Sequence, residues 1–410
     1  MAKVKKIIAG WIIDGTGGPV YEKTLLNIDN GKIKSITNTE QKDYYDHDTL
    51  NLSEYTIFPP LVDAHVHLAM SGTIKKKNRE HQLNAGYDEI KHNISNHIYS
   101  CLSHGIMAVR DGGDHCGHSL KFKKNNSNFL KNPMIIHVAG KGWYREERYG
   151  SLVGQPVAKN ESLADLILKE KYDDVQHIKI INSGLNSLND YGKETAPQFN
   201  LLEMKEAVNA AKSLGLKVMV HANGKIPVKI SVEAGCDSIE HGYFMGMKNL
   251  ELMAKNNVSW IPTTTPMKAF LEQIGTSSND GKIAGLNLKH QIKQMEFARE
   301  IGVNVVAGTD SGGFGVNHGV SLIEELKIFS KAGYKINETI RCATTNAYRL
   351  LEIDSFNSLS IGNRLNFIAT KGSPAELPYS LNDCSIFNND GFVKSPISAL
   401  RYTPRHCDVR

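Results

Sequence analysis

Hydrophobic and polar positions follow two rhythms along this chain. Over roughly residues 1 to 57, the β-prone runs Lys6-Ile7-Ile8-Ala9, Thr24-Leu25-Leu26-Asn27-Ile28 and Ile33-Lys34-Ser35-Ile36 are separated by turn signals at Asp14-Gly15, Gly17-Gly18 and Asn30-Gly31. That pattern predicts a small antiparallel sheet. From about residue 58, apolar runs of strand length alternate with helical stretches, as parallel βα units require. Strands are predicted near 61–66, 106–110, 134–139, 177–181, 217–220, 237–240, 258–262 and 303–308, eight in all. Asn200 with Glu203 forms a capping box ahead of Ala207-Val208-Asn209-Ala210-Ala211, and Gly215 closes that helix. Asn337 is predicted to open a second helix running to about Leu351. After about residue 358 short strands return, most clearly at Arg364-Leu365-Asn366-Phe367-Ile368-Ala369. These are expected to join the N-terminal sheet, since chain ends in compact domains often lie close together.

The expectation is therefore an α/β fold: a (β/α)8 TIM-like barrel over residues 58–358, with a small β-sandwich domain built from residues 1–57 and 359–410. At 410 residues, 40% hydrophobic and 22% charged, the chain is long enough for that arrangement. Such a barrel gathers its chemistry at the C-terminal ends of its strands, where the βα loops converge.

Candidate metal ligands stand at or beside those ends. In Pro60-Leu61-Val62-Asp63-Ala64-His65-Val66-His67 the two histidines share a strand face, because side chains alternate with period two. They can share one metal ion. Lys179 lies in His177-Ile178-Lys179-Ile180, His221 follows Leu216-Lys217-Val218-Met219-Val220, His241 follows Ser238-Ile239-Glu240, and Asp310 ends the run from Val303 to Thr309. Each has a plainer reading when taken alone. His241 could be a core histidine, Lys179 a solvent-facing strand residue, and Asp310 a turn-former or helix cap. Jointly the six are hard to explain without a metal site.

The set H-x-H, Lys, His, His, Asp on strands one, four, five, six and eight resembles the amidohydrolase superfamily, and the flanking sequence is similar to its dipeptidase and imidazolonepropionase-like branches. The turn Asp14-Gly15-Thr16-Gly17 and the helix carrying Ala343-Thr344-Thr345-Asn346-Ala347 extend the resemblance over nearly the whole chain. It implies two divalent metal ions, with zinc the expected element, bridged by hydroxide and by Lys179 carboxylated by carbon dioxide. His65, His67 and Asp310 would hold the buried ion, and His221 and His241 the exposed one. A lysine among imidazoles and cations would be desolvated and repelled, so it should lose its proton and become nucleophilic toward carbon dioxide. The implied activity is hydrolysis of an amide-like C–N bond in a peptide, N-acyl amino acid or related amide by attack of the bridging hydroxide. Asp310 would serve as general base and then acid. A cyclic amidase would use the same centre. A heterocycle deaminase on this barrel typically carries a glutamate where Gly224 stands and lacks the strand-four lysine. A catalytically silent scaffold usually lacks ligands, and here all six are present.

Substrate contacts are expected from the βα loops. In Gly140 to Gly150, Arg145 or Arg148 could fork a carboxylate while Trp143 or Tyr149 packs on the substrate body. An exposed loop of Arg/Glu pairs is the other reading. Asn223, where many dipeptidase-like members carry tyrosine, Tyr243, two past His241, and His318, beyond Asp310, are further candidates. The net charge of +5 comes without a long basic block, so nucleic acid is not an expected partner. A small amide is the expected partner, and barrels of this kind often form homo-oligomers. Six cysteines without C-x-x-C spacing, no adequate leader and no transmembrane run point to a cytoplasmic protein with reduced thiols and no membrane partner.

Overall fold

The computed structural model describes residues 4–40, 43, 49–125, 134–356, 358–388 and 391–394. The chain opens with strands β1 (Lys6–Ile12), β2 (Tyr21–Asp29), β3 (Lys32–Asn38) and β4 (Thr49–Phe58). The middle carries β5 (Leu61–Val66), β6 (Ile106–Asp111), β7 (Ile135–Val138), β8 (Gly142–Arg145), β9 (Gly154–Val157), β10 (His177–Ile181), β11 (Lys217–Ala222), β12 (Ser238–His241) and β13 (Ser259–Ile261). It closes with β14 (Phe367–Lys371), β15 (Ser385–Asn388) and β16 (Gly391–Lys394).

Both ends of the chain build one seven-stranded sheet, in the order β16-β15-β14-β4-β1-β2-β3. The join is the antiparallel pairing of β14 with β4, Ala369 opposite Ile57. Its apolar side gathers Ile7, Ile12, Leu26, Ile57 and Phe367 into a cluster of its own. The predicted tail 395–410 lies outside the described residues.

The middle strands form two parallel sheets, β13-β12-β11-β10-β8-β9 and β5-β6-β7. Strands β5, β6 and β10 are buried at every position, as parallel strands covered on both faces should be. Any polar side chain in such a strand needs a partner. Asp63 accepts from Thr309 and Asp111 from Leu68 N, while His65, Arg110 and Lys179, with His221 of β11 and Glu240 of β12, enter the site described below.

Seven of the eight predicted barrel strands are present within a residue or two of their predicted places. The eighth, 303–308, makes one isolated bridge, Val305 with Trp260, and Ser311 just beyond it makes another with Val66. Single hydrogen bonds continue the contact: Ala64 N donates to Ala307 O (3.0 Å), and Asp310 N to His65 O (2.8 Å). Asp310 follows at φ 60°, and Gly308 runs so close to β5 that a Cβ there would lie 2.9 Å from His65 N. The short strands β8 and β9 fall in a stretch predicted to be loop. The Asn200–Glu203 capping box is present on the helix Leu201–Ser213. The predicted helix to Leu351 is split into Ile336–Cys342 and Thr345–Leu351 by the non-helical backbone of Thr344. Among the described residues no helix is long and apolar enough to cross a membrane.

Candidate metal centre

His65 and His67 leave the end of β5 on one face, and Asp310 reaches them from the segment beside it. His65 Nε2 lies 3.5 Å and His67 Nε2 3.3 Å from Asp310 Oδ1. The ligand atoms of the three residues all fall within 4.8 Å of one another. Close packing of glycine makes room: a Cβ at Gly112 would stand 2.8 Å from His67 Cε1 and 3.4 Å from His65 Nε2.

The partners of the outer ring nitrogens fix what the inner ones can do. His65 Nδ1 is 2.7 Å from Glu240 Oε2, and Glu240 also accepts from Arg110 (2.8 Å) and Ser238 Oγ (2.6 Å). Burial opposes ionisation of Glu240, but Arg110 and His65 hold its carboxyl well below the usual range. Burial pushes His65 down to about 4, so a neutral imidazole donates from Nδ1 to an ionised Glu240. Its Nε2 keeps a lone pair and makes no hydrogen bond, although the atom is buried. His67 Nδ1 faces Gly113 O at 2.8 Å, and a carbonyl only accepts, so in the neutral ring Nε2 points a lone pair inward and in the protonated ring an N–H toward Asp310. Two nitrogen lone pairs facing one carboxylate repel unless a cation or a proton sits between them. Burial would lower His67, yet its hydrogen bond to Asp310 raises it on balance. Burial likewise opposes an ionised Asp310, and the surrounding imidazoles hold its carboxyl far below the ordinary range.

His221 and His241 stand alongside, from the ends of β11 and β12. Their ring centroids are 4.7 Å apart, and His241 is 5.1 Å from His65. His221 Nε2 lies 3.1 Å from Gly184 O, which leaves Nδ1 as the lone-pair atom, and burial pushes this ring down to about 3. His241 Nδ1 is 2.6 Å from Thr263 Oγ1. Lys179 is 2% exposed, and its Nζ has no hydrogen-bond partner. Burial lowers it to about 8, against the pull of Glu240 and Asp310. Its stem runs over Gly142, where a Cβ would approach Lys179 Cγ to 3.3 Å. The Nε2 atoms of His65 and His67 and the Asp310 carboxylate are a donor set suited to divalent metal, and the orphaned Lys179 Nζ is buried without a partner.

The remaining predicted site residues lie at different distances from this centre. Tyr149 packs on His221 with centroids 5.3 Å apart. Asn223 Oδ1 accepts from Tyr243 N (3.0 Å), which ties the loops after β11 and β12 together. Tyr243 is buried, its hydroxyl 3.5 Å from Thr263 O. His318 is buried and stacked on His97, centroids 4.0 Å apart. Arg145 is bound by Glu203 and by Ala158 O (2.8 Å) and lies over the Phe199 ring. Arg148 donates to Ala196 O at 2.9 Å. Sequence reasoning passed over Glu240, Arg110 and Thr263, which orient the histidines. The available signal was a charged residue in a short buried strand, Arg110 in Ile106–Asp111 and Glu240 in Ser238–His241, whereas Thr263 carries none.

Comparison with known proteins gives the family. The amidohydrolase family model matches residues 56–399. The ochratoxinase of Aspergillus niger is 28% identical over 173 residues, 42% of this chain, and the match covers only 35% of the ochratoxinase's length. An imidazolonepropionase of Staphylococcus saprophyticus is 21% identical over 91% of this chain and 90% of its own length. A crystal structure of a Xaa-Pro dipeptidase with methionine bound in its active site superposes with a TM-score of 0.79 at 25% identity, covering 95% of this chain and 99% of that one. The chain belongs to the amidohydrolase family. It is thus a member of a family of enzymes, and its similar proteins include enzymes of amide and other C–N bonds.

Proposed function

We propose that this protein is a metal-dependent hydrolase that cleaves an amide-like C–N bond in a small peptide, N-acyl amino acid or related amide. The observation that carries the reading is the cluster of His65, His67 and Asp310, with the rings of His241 and His221 beside it and the Lys179 Nζ and His65 Nε2 buried and unbonded. His65, His67 and Asp310 would hold one ion and His221 and His241 a second, with Lys179, carboxylated, between them. Imidazole and carboxylate donors favour zinc. Bound there, divalent ions would acidify a water toward a pKa near 7 and polarise the substrate carbonyl.

The chain's own groups do the rest. Glu240 holds the His65 ring through Nδ1, and Gly113 O and Thr263 Oγ1 do the same for His67 and His241. Asp310, kept ionised by its imidazole neighbours, accepts the proton of the attacking water and delivers it to the leaving nitrogen. We also place this site at the mouth of a closed (β/α)8 barrel, with the terminal sheet as a separate β-sandwich domain. The hydrogen bonds that segment 304–311 makes to β5 and to Trp260 of β13 support the closure.

The test is a screen of N-acyl amino acids, dipeptides and cyclic amides with the zinc-loaded enzyme. Hydrolysis of linear amides that ceases on chelation is expected. Turnover of cyclic amides alone would move the assignment to a cyclic amidase, and no turnover of any of them would refute the hydrolase reading.

A further inference from the structure

The site as described lacks a cation to receive a substrate's own charge. Both guanidinium groups predicted for that purpose are engaged elsewhere, Arg145 with Glu203 and Arg148 with Ala196 O. Arg79, on the helix Lys76–Asn84, is different. It is partly buried, yet its described bonds are two long contacts from Nη1, 3.4 Å to Thr73 O and 3.4 Å to Gly312 O. No ion pair to a carboxylate is found for it among the described residues. Gly312 stands two residues past Asp310, and a Cβ there would meet His67 O at 2.7 Å and Met70 O at 2.9 Å. The guanidinium therefore lies over the loop that carries Asp310, close enough to feel its charge. A half-desolvated guanidinium with weak partners is a poor stabiliser of the fold and a ready fork for a carboxylate.

An apolar patch lies beside it. Leu83, one helical turn on from Arg79 and on the same face, packs with Tyr144 and Tyr149 against buried Met70, Val153 and Ile181. Tyr149 in turn touches the His221 ring, and Ile181 ends the strand that carries Lys179. The patch thus runs from the helix bearing Arg79 to the metal centre.

We infer that Arg79 binds the carboxylate of the substrate while the half-buried Leu83, Tyr144 and Tyr149, backed by buried Met70, Val153 and Ile181, face its apolar side chain. The substrate class is then an N-acyl or N-aminoacyl derivative of an apolar amino acid with a free C-terminal carboxylate. This deepens the hydrolase reading and rests on it for turnover, but binding can be measured apart from chemistry.

The experiment compares N-acetyl-L-leucine and Leu-Leu with their C-terminal carboxamides on the zinc-loaded enzyme, wild type against Arg79→Met and Arg79→Lys. For the acids, Arg79→Met should raise KM at least about tenfold with kcat within about twofold, because the lost contact is a charge-assisted fork made equally in ground and transition states. The carboxamides should bind as weakly to wild type as to the variant, and Arg79→Lys should recover part of the loss. Equal effects on acids and carboxamides would overturn the inference. If none of these four compounds is turned over, the substrate is not a leucine derivative, and the wider screen above judges the hydrolase reading. Calorimetric binding then decides separately, since acid affinity lost in Arg79→Met supports the carboxylate clamp and unchanged affinity refutes it. A circular dichroism melt matching wild type establishes that Arg79→Met is folded.

Discussion

Replacing Glu240 by glutamine tests the support beneath the metal centre. The substitution keeps the size of the side chain and removes its charge at a fully buried position. Arg110, itself 3% exposed, keeps its bonds to Ala64 O (2.8 Å) and Ser238 Oγ (2.9 Å) but loses its counter-ion. Leaving one buried charge uncompensated costs about 3 kcal/mol or more. With the glutamine oxygen held by its two donors, Arg110 and Ser238, its NH2 turns toward His65 Nδ1, which loses the acceptor that fixes its tautomer, and loss of such a partner lowers metal affinity roughly 10- to 100-fold. Urea unfolding with chelator present should therefore show the variant less stable by about 3 kcal/mol, and zinc titration should show the additional affinity loss. The pH dependence follows from the same carboxylate. Its folded pKa is depressed, so its contribution is present above the unfolded carboxylate pKa of about 4.3 and fades as pH falls below it. The wild-type advantage over Glu240→Gln should accordingly shrink in acid. A variant within about 1 kcal/mol of wild type at neutral pH, with undiminished zinc affinity, would refute the reasoning.

Lys179→Ala should lower metal occupancy, and short carboxylates such as propionate should restore part of it; elemental analysis showing full occupancy without them would remove the lysine from the bridge. Asp310→Asn should keep metal and lose turnover by about a hundredfold or more, measured on the best substrate of the screen, whereas full activity would exclude Asp310 as the proton carrier. Gly112→Ala should leave the fold intact and weaken zinc binding roughly tenfold, since its methyl would press on His67 at 2.8 Å from Cε1; unchanged affinity in a competition titration would show that the imidazoles have slack.

The two rhythms of the sequence carried most of the architecture. Apolar runs at parallel-strand length located β5, β6, β10 and β11 because strands covered on both faces have few polar exceptions. The histidine pair was legible for a related reason, since period-two alternation alone puts His65 and His67 on one face. What escaped was whatever depends on contacts far apart in the chain. Glu240 reads locally as a stray charge, and only the approach of Arg110 and His65, 130 and 175 residues away, makes it a support. The pairing of Arg145 with Glu203, 58 residues on, could not be separated by composition from a substrate-binding arginine. Segment 303–308 looked like a strand because its residues favour one, whereas it makes only the single bridge of Val305 to Trp260.

The most direct test of the central claim is the metal content of the purified protein by mass spectrometry, wild type beside a His65→Ala, Asp310→Ala double variant. The account predicts about two equivalents of divalent metal, chiefly zinc, in the wild type and a marked loss in the folded double variant. A wild-type protein that takes up no divalent metal even when zinc is supplied, or a double variant that retains the full complement, would contradict it.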